Sequence, residues 1–427
     1  MVSLQLPKLA LSWNSLRVHP YTAGLLIASL ALAAPFATRK VSEWDGVFIP
    51  TAQHLVHGED IYEQAHGYVY PPLQAVLALP VLGLSSVASR LAWFVVNGFS
   101  LWFVLRSVWR FAGGPDLETV RSSWREHLAF NVGLIVGLTY FFNSLMHQQT
   151  DILLAAILFA GCERINTGRG LKAAICFGIA AAMKCTPLLF APYLAVRGKF
   201  LAAATVLIVA TAASLLPDLV NHPQSHSTWV SKWFAMFLAP MASTEHRPGV
   251  WASDIVYNQS LIGGINRWTG TTWAWEGNAI RMSMIEPLLK PTQMKLLILG
   301  IAVVLGLISL AAIIVARRRG VENATPWECS LVLSGMLLFS PMSSPAHFGV
   351  LLLPAWLLAR RAFVQHQLAA GVILAGMLLA AAASNKDLLG GPLYTIGLWQ
   401  GSVMACAIMA LVGAWWGLLL DRNPRSA

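Results

Sequence analysis

Long apolar runs alternate with short polar segments along almost the whole chain of 427 residues. A helix that crosses a bilayer needs about 20 apolar residues, and about 17 can suffice. The pattern predicts an all-α polytopic membrane protein that forms a single domain over residues 1–427. We expect about twelve transmembrane helices, at residues 21–37, 91–110, 128–143, 151–164, 171–183, 187–197, 200–216, 294–316, 328–340, 346–359, 366–383 and 398–420.

Two stretches leave the number of crossings open. Residues 73–86 form a thirteenth apolar piece, and residues 171–183 and 187–197 form either two crossings or one broken hairpin.

The distribution of charge predicts the orientation, because basic residues collect in short cytoplasmic loops. Twelve crossings, with 73–86 in the outer interface, place most Lys and Arg residues inside and most acids outside. This solution predicts cytoplasmic termini, a first outer loop at 39–90 with juxtamembrane helices, and a long outer loop at 217–293.

Composition agrees with this class of protein. The chain is 56% hydrophobic and only 11% charged, whereas soluble domains carry about 25% charged residues. The net charge of +10 is explained by the basic loops, so we expect no nucleic-acid partner. The five cysteines lie in or beside apolar runs without a CxxC pair, which predicts neither disulfides nor a thiol metal site.

The polar stretch at residues 44–73, WDGVFIPTAQHLVHGEDIYEQAHGYVYPPL, is the first candidate for chemistry. Acids beside an apolar span are costly to keep there and need a reason. Proline is tolerated in the first turn of a helix, so Pro50 predicts a helix that starts near Phe48, just after Asp45. From the residues alone, Asp45 is as well explained as a helix cap or a solvated carboxylate as by catalysis.

The order of the motifs resembles glycosyltransferase family 87, a group of membrane-embedded GT-C enzymes that includes polyprenol-phosphate-mannose-dependent mannosyltransferases. The resemblance begins at Asp45 and continues through FIPTAQHL, the GEDIY element at 58–62 and the YPPL element at 70–73. It continues along the chain through HQQTDILLAAILFAG, MKCTPLLFAPYL, YNQSLIGGINR and SPMSSPAHFGVLLLPAWLL. Departures from the pattern are Pro50, where Tyr is commoner, and Asp151, where Asn is commoner.

The resemblance implies a GT-C-type helical bundle in which Asp45 is the general base that takes the proton of the acceptor hydroxyl. A positioned base contributes about 10²–10⁴-fold to a rate. Lys184, His347 and Arg267 are the candidates for binding the donor phosphate. Snorkelling to the membrane surface is the alternative for Lys184, and a span-end hydrogen bond is the alternative for His347. The candidates for binding the sugar or the acceptor are Gln149, Asn258, Gln259, Tyr62, Tyr70 and His54.

The implied reaction moves a hexose, with mannose as the expected sugar, from a polyprenyl phosphate to a lipid or glycan acceptor, with inversion. It would take place on the outer face of a bacterial inner membrane.

No cofactor is required, because the donor carries a monophosphate and the chain lacks the phosphate-loop pattern GxxxxGK[ST]. A divalent metal held by His54, His57, Glu59, Asp60 and His66 is the less favoured alternative for that cluster.

Two rival functions remain open at this point. One is transfer of a pentose or another sugar on the same scaffold, and the other is a lipid-linked-sugar flippase or transporter. Transporters bind substrate near the bilayer midplane, often between inverted repeats. The polar clusters here are predicted at the outer ends of the spans instead, and no repeat is visible in the sequence.

Six tryptophans between Trp229 and Trp275 further predict interfacial amphipathic helices in the long outer loop.

Overall fold

The computed structural model describes residues 20–39, 41–62, 67–115, 123–225, 227–242 and 256–420. The fold of these residues is predominantly helical. The first half contains α1 (Pro20–Ala37), α2 (Ile49–His57), α3 (Ser86–Phe111), α4 (Trp124–His147), α5 (Asp151–Asn166), α6 (Gly170–Met183), α7 (Phe190–Val196) and α8 (Phe200–Ser214). The second half contains α9 (Trp229–Trp233), α10 (Ala239–Ala242), α11 (Leu261–Gly270), β1 (Thr271–Glu276), β2 (Ala279–Met284), α12 (Pro291–Arg318), α13 (Ala324–Leu338), α14 (Leu352–Ala359), α15 (Leu368–Ala383), α16 (Lys386–Gln400) and α17 (Ser402–Leu419).

The predicted apolar runs lie on helices, but the structure does not confirm twelve crossings. Among the described residues, six helices are long and apolar enough to span a bilayer, or seven if the bent pair α15–α16 counts as one span. The short apolar segments Pro72–Val81, Gly170–Met183 and Thr186–Val196 contain at most 17 residues each. Such lengths are marginal or too short for a crossing. Residues 73–81 form short 3₁₀ turns rather than a full crossing.

In the segment between α1 and α3, a π-helical turn precedes the predicted α-helix. Residues Trp44–Phe48 form a π-helical turn that runs directly into α2. The predicted helix start near Phe48 is confirmed for α2, which begins at Ile49, and Asp45 lies before α2, within the π turn that precedes it. Pro50 is the second residue of α2, a first-turn position where the missing N–H is tolerated.

The centre of the bundle is packed where α4 crosses α14. The buried indole of Trp356 donates to the carbonyl oxygen of Phe130 at 2.8 Å, and their rings stack with centroids 5.2 Å apart. Gly133 makes this approach possible, because a Cβ there would lie 2.4 Å from Trp356 Cδ1 and 3.2 Å from its backbone nitrogen. Small residues allow helices to pack closely in membranes.

We expect Gly133→Ala to destabilise the fold by about 1–3 kcal/mol, the usual cost of overpacking a tight core. Thermal unfolding of the purified protein in detergent measures this loss. Gly306→Ala on α12 is the matched control, because a Cβ at that position has nothing within 4 Å. An equal melting temperature for the two variants would contradict the close approach.

The segment between α8 and α12 departs from the all-α prediction. Its first part, Trp229–Trp233, is helical as expected for WVSKW, but β1 and β2 form an antiparallel two-stranded hairpin. Glu276 pairs with Ala279, so Gly277 and Asn278 form a two-residue turn. Gly277 has φ +60, the conformation that such turns require and that glycine adopts without strain.

Candidate active site

The HQQTD turn between α4 and α5 connects the elements of the site. Gln148 ends α4 in the left-handed conformation with φ 57, and its side-chain nitrogen donates to the carbonyl oxygen of Phe36 at 2.7 Å. Thr150 donates to the side chain of Gln74 at 2.8 Å, and Gln74 donates to the carbonyl oxygen of Met183 at 2.6 Å. The turn thereby binds the end of α1, the YPPL segment and the end of α6.

Glu43, the residue just before the π turn, is held by this assembly. Gln149 Nε2 donates to Glu43 Oε1, and the hydroxyl of Tyr70 donates to Glu43 Oε2 at 3.2 Å. Burial raises the pKa of the Glu43 carboxyl above its usual value, while the bonds from Gln149 and Tyr70 oppose that rise. Burial also raises the pKa of Tyr70 well above its usual value, so its hydroxyl remains a donor. The result is an oriented carboxyl group with increased proton affinity.

Asp45 lies two residues further along and has different partners. Arg90 Nε, from α3, donates to Asp45 Oδ2, and Ser42 Oγ donates to the same oxygen at 3.1 Å. Arg90 also donates to the carbonyl oxygen of Ala37 at 2.9 Å. The carboxylate of Asp45 therefore belongs to an ion pair that joins the π turn to α3 and the end of α1.

A cavity of about 920 Å³ opens beside Glu43. This size suits a small-molecule site. Its walls combine Glu43 and Gln149 with the last turns of α4, the tip of the hairpin, Ser344 and Pro345, and the junction of α15 and α16. Asp45 is not among the lining residues. The charged side chains that line it are Arg39, Glu43, Lys386 and Asp387.

The junction of α15 and α16 is bent by 85°. Ser384, Asn385 and Gly391 at or near this bend line the cavity. Irregular backbone at membrane depth is tolerated where it lines a cavity. The cavity therefore explains how the irregular backbone of the bend is tolerated, and the bend presents polar groups to the cavity.

Lys184 and His347 meet behind the cavity wall, at Asp151. Lys184 Nζ lies 3.3 Å from Asp151 Oδ1, and His347 Nε2 lies 3.8 Å from the same oxygen. The Asp151 side chain is 7% exposed, that of Lys184 14% and that of His347 4%. His347 Nδ1 accepts a hydrogen bond from the Ser344 backbone at 3.1 Å. The structure thus brings two of the predicted phosphate ligands together, but onto a carboxylate and outside the cavity lining.

Asn258, Gln259 and Arg267 form a second buried cluster. Arg267 Nη1 donates to the carbonyl oxygen of Asn258, and Gln259 Nε2 donates to that of Leu398 at 2.8 Å. Asn258 Nδ2 donates to the carbonyl oxygen of Pro341 at 3.1 Å. All three predicted ligands are completely buried, and none lines the cavity. In this structure their side chains tie the start of α11 to α16 and the 340s segment.

Tyr62 and His54 form hydrogen bonds within the segment between α1 and α3 rather than lining the cavity. The hydroxyl of Tyr62 donates to the carbonyl oxygen of Tyr70 at 3.3 Å, and His54 Nδ1 lies 3.1 Å from that of Asp60. Of the predicted metal alternative, His66 lies outside the described residues. Within the described ranges, no group of three or more His, Cys, Asp or Glu side chains could hold a metal ion.

Sequence reasoning missed the four charged residues of the cavity lining, which are Arg39, Glu43, Lys386 and Asp387. Each lies within a polar segment that the charge pattern had placed outside. The available signal was the composition of those segments, since Glu43 and Asp45 flank Trp44 and Lys386 follows the run SN. Only the π turn and the bend of α15–α16 decide which side chains reach the cavity.

The fold and the site define a membrane protein with a helical bundle and a charged cavity at one end of it. A family model described as glycosyltransferase family 87 matches residues 68–341, more than half of the chain. The chain therefore belongs to glycosyltransferase family 87, as its motifs predicted. The match begins after Glu43 and Asp45, so it does not decide between these two acids.

Other comparisons add little to this assignment. No curated protein matches the chain in sequence. Among solved structures, the chain is similar to ArnT from Cupriavidus metallidurans bound to undecaprenyl phosphate, with 13% identity and a TM-score of 0.39. The similarity covers 92% of this chain and 78% of that chain.

Proposed function

We propose that this glycosyltransferase moves a hexose, with mannose as the expected sugar, from a polyprenyl phosphate to a hydroxyl of a lipid or glycan acceptor. The observation that carries the proposal is the carboxyl group of Glu43 in the wall of a cavity large enough for a sugar. Family membership supplies the reaction class, and the motif resemblance supplies the donor. Buried, oriented carboxyl groups with raised proton affinity are suited to general-base catalysis near neutral pH.

In the proposed reaction Glu43 accepts the proton of the acceptor hydroxyl. The freed oxygen forms a bond to the anomeric carbon, and the bond from that carbon to the phosphate oxygen breaks. The polyprenyl phosphate leaves with the bonding electrons. A single displacement of this kind inverts the anomeric centre, so a β-linked donor gives an α-linked product.

The leaving phosphate needs positive charge that is already in place. Arg39 and Lys386 line the cavity together with Glu43, and we propose that they bind the phosphate. Lys184 and His347 would then influence the phosphate only indirectly, because both contact Asp151 outside the cavity lining. Arg267 would act only by supporting the start of α11, because its guanidinium bonds backbone carbonyl groups.

The motif resemblance implies that Asp45 is the base. The contacts of Asp45 in the structure favour a supporting role instead. Its bond to Arg90 holds the π turn against α3, which fixes the backbone next to Glu43. We therefore propose Glu43 as the base and Asp45 as a positioning residue. The two assignments differ in a measurable way, because only the base must exchange a proton during each turnover.

Charge supports an outer location for the cavity. The 24-residue helix α4 is about 36 Å long at 1.5 Å per residue. Its last turn lines the cavity, while Glu126 in its first turn pairs with Arg360 at 3.2 Å. The basic turn that contains Arg360 therefore lies at the end of α4 opposite the cavity. Basic turns are retained on the cytoplasmic side. We therefore propose that the cavity faces outward from a bacterial inner membrane, with both termini inside.

The direct test is incubation of the purified protein with polyprenyl-phosphate-mannose and candidate lipid acceptors, followed by mass spectrometry of the products. We expect a hexose adduct of the acceptor with an α linkage. Transbilayer movement of the lipid-linked sugar without any adduct would instead favour the rival flippase. A pentosyl adduct from a pentose donor, with no hexosyl adduct, would overturn the sugar assignment.

The raised pKa of Glu43 predicts the pH dependence of the transferase. Activity requires the deprotonated base, so turnover should fall as the pH decreases through a pKa above the ordinary glutamate value of 4.5. The hydrogen bond from Gln149 lowers this pKa. Gln149→Ala should therefore move the acidic limb of the kcat profile to higher pH. An unchanged limb in that variant would show that another group controls the profile.

A further inference from the structure

The hairpin of β1 and β2 has one apolar and one polar face. Side chains alternate between the two faces of a strand, and the cross-strand pairs Trp273–Met282 and Trp275–Ile280 lie on the same face. The apolar face carries Trp273, Trp275, Ile280, Met282 and Met284, together with Thr271. The opposite face consists of Thr272, Ala274, Glu276, Ala279, Arg281 and Ser283.

One end of the hairpin is fixed to the bundle. Trp399 Nε1 on α16 donates to Thr271 Oγ1 at 3.0 Å, and Thr271 donates to the carbonyl oxygen of Arg267 at 2.9 Å. The ring of Trp273 packs edge-on against Trp399 with centroids 6.4 Å apart. Trp273 on the apolar face therefore packs against α16, while Trp275 and Met284 on the same face remain exposed.

The other end of the hairpin reaches the cavity. Asn278, Ala279 and Ile280 line the cavity beside Tyr394. Trp275, the cross-strand partner of Ile280, is 55% exposed, and Met284, at the end of the face farthest from the turn, is 63% exposed. An apolar surface thus leads away from a cavity whose charged residues include Glu43.

We propose that the apolar face of the hairpin binds the hydrocarbon chain of the lipid-phosphate donor while the phosphate and sugar occupy the cavity. This inference rests on the proposed function, because it assumes that the donor carries a long prenyl chain. Such a donor is charged at one end and apolar at the other, and it needs an apolar surface that is continuous with a charged cavity. The hairpin provides that surface, since its apolar face begins at the cavity lining and extends beyond it.

Adjacent residues of β1 provide a matched pair for the test. Trp275 and Glu276 lie on opposite faces, and the side chain of Glu276 is 63% exposed in an ion pair with Arg281. Exposed ion pairs of this kind contribute little to stability, so both variants should fold. The measurement is KM and kcat in detergent for Trp275→Ala and Glu276→Ala, with mannosyl phosphates of undecaprenol and of the much shorter geraniol.

We expect Trp275→Ala to raise KM for the undecaprenyl donor by about tenfold, because a large apolar contact is lost. Its KM for the geranyl donor and its kcat should change little, and Glu276→Ala should change neither KM. Equal effects on the two donors, or equal effects of the two variants, would overturn the proposal. An effect that appears in liposomes but not in detergent would also overturn it, because the hairpin would then anchor the protein in the interface.

A second measurement keeps the inference independent of catalysis. The melting temperature of the protein is followed with undecaprenyl phosphate and with geranyl phosphate, neither of which carries a sugar. Stabilisation by the long-chain phosphate that is lost in Trp275→Ala supports the chain-binding face. If no sugar is transferred from any donor but this stabilisation is present, the proposed function fails and the inference stands.

Discussion

Glu43→Gln should reduce kcat by about 10²–10⁴-fold, the usual contribution of a positioned general base. The amide keeps the shape of the side chain and the hydrogen bond from Tyr70, but it cannot take a proton from the acceptor. Donor binding should persist, because the phosphate is bound by other groups. Steady-state kinetics with the lipid-linked donor, together with donor-induced thermal stabilisation, measure the two effects separately.

Asp45→Asn is the control for this prediction. It removes the charge that pairs with Arg90 but leaves Glu43 and its partners in place, so kcat should fall much less than in Glu43→Gln. The pH profile gives a second readout, since the acidic limb should persist in Asp45→Asn. If Asp45→Asn shows the larger loss while Glu43→Gln stays active, the base is Asp45, as the motif resemblance implies.

Asp151→Ala should destabilise the protein by about 3–5 kcal/mol, the range found when one partner of a buried ion pair is removed. The Lys184 ammonium group would lose its counterion at 3.3 Å in a site with little access to water. The side chain of His347 would lose the same neighbouring carboxylate. Thermal or denaturant unfolding in detergent measures the change.

The double variant Asp151→Ala with Lys184→Met separates loss of charge pairing from loss of packing. Removing both charges eliminates the unpaired ammonium group, so the double variant should be more stable than Asp151→Ala alone. Coupling of this kind is expected for residues in direct contact. A double variant that is less stable than either single variant would show that the ion pair is not the main interaction.

The positions of the helices could be predicted from the sequence because each apolar run forms all its backbone hydrogen bonds within one helix, without a partner segment. The number of crossings could not be predicted, since α6 and the segment at 186–196 are apolar but too short to count as crossings by length. The hairpin was also readable in part. Alternation in TTWAWE and the Gly277–Asn278 pair are typical hairpin signals, but the abundance of tryptophan favoured interfacial helices instead.

The site was predicted at the level of segments and less well at the level of side chains. The motifs identified the HQQTD turn and the YPPL segment, which meet in the structure through Thr150 and Gln74. Motifs do not reveal that Asp151 binds Lys184 or that Arg90 binds Asp45, because both pairs join residues far apart in the sequence. The choice between Glu43 and Asp45 depends on a single π turn, which spacing alone does not specify.

The cavity draws its walls from opposite ends of the chain, and this division bears on how such an enzyme diversifies. Glu43 and Gln149 come from the first 150 residues, whereas Ile280, Asn385 and Tyr394 come from the last 150. Energetic effects at well-separated positions are nearly additive. New acceptor preferences could therefore arise by drift or by engineered exchange of the carboxy-terminal wall, leaving the proposed base Glu43 and its partner Gln149 intact.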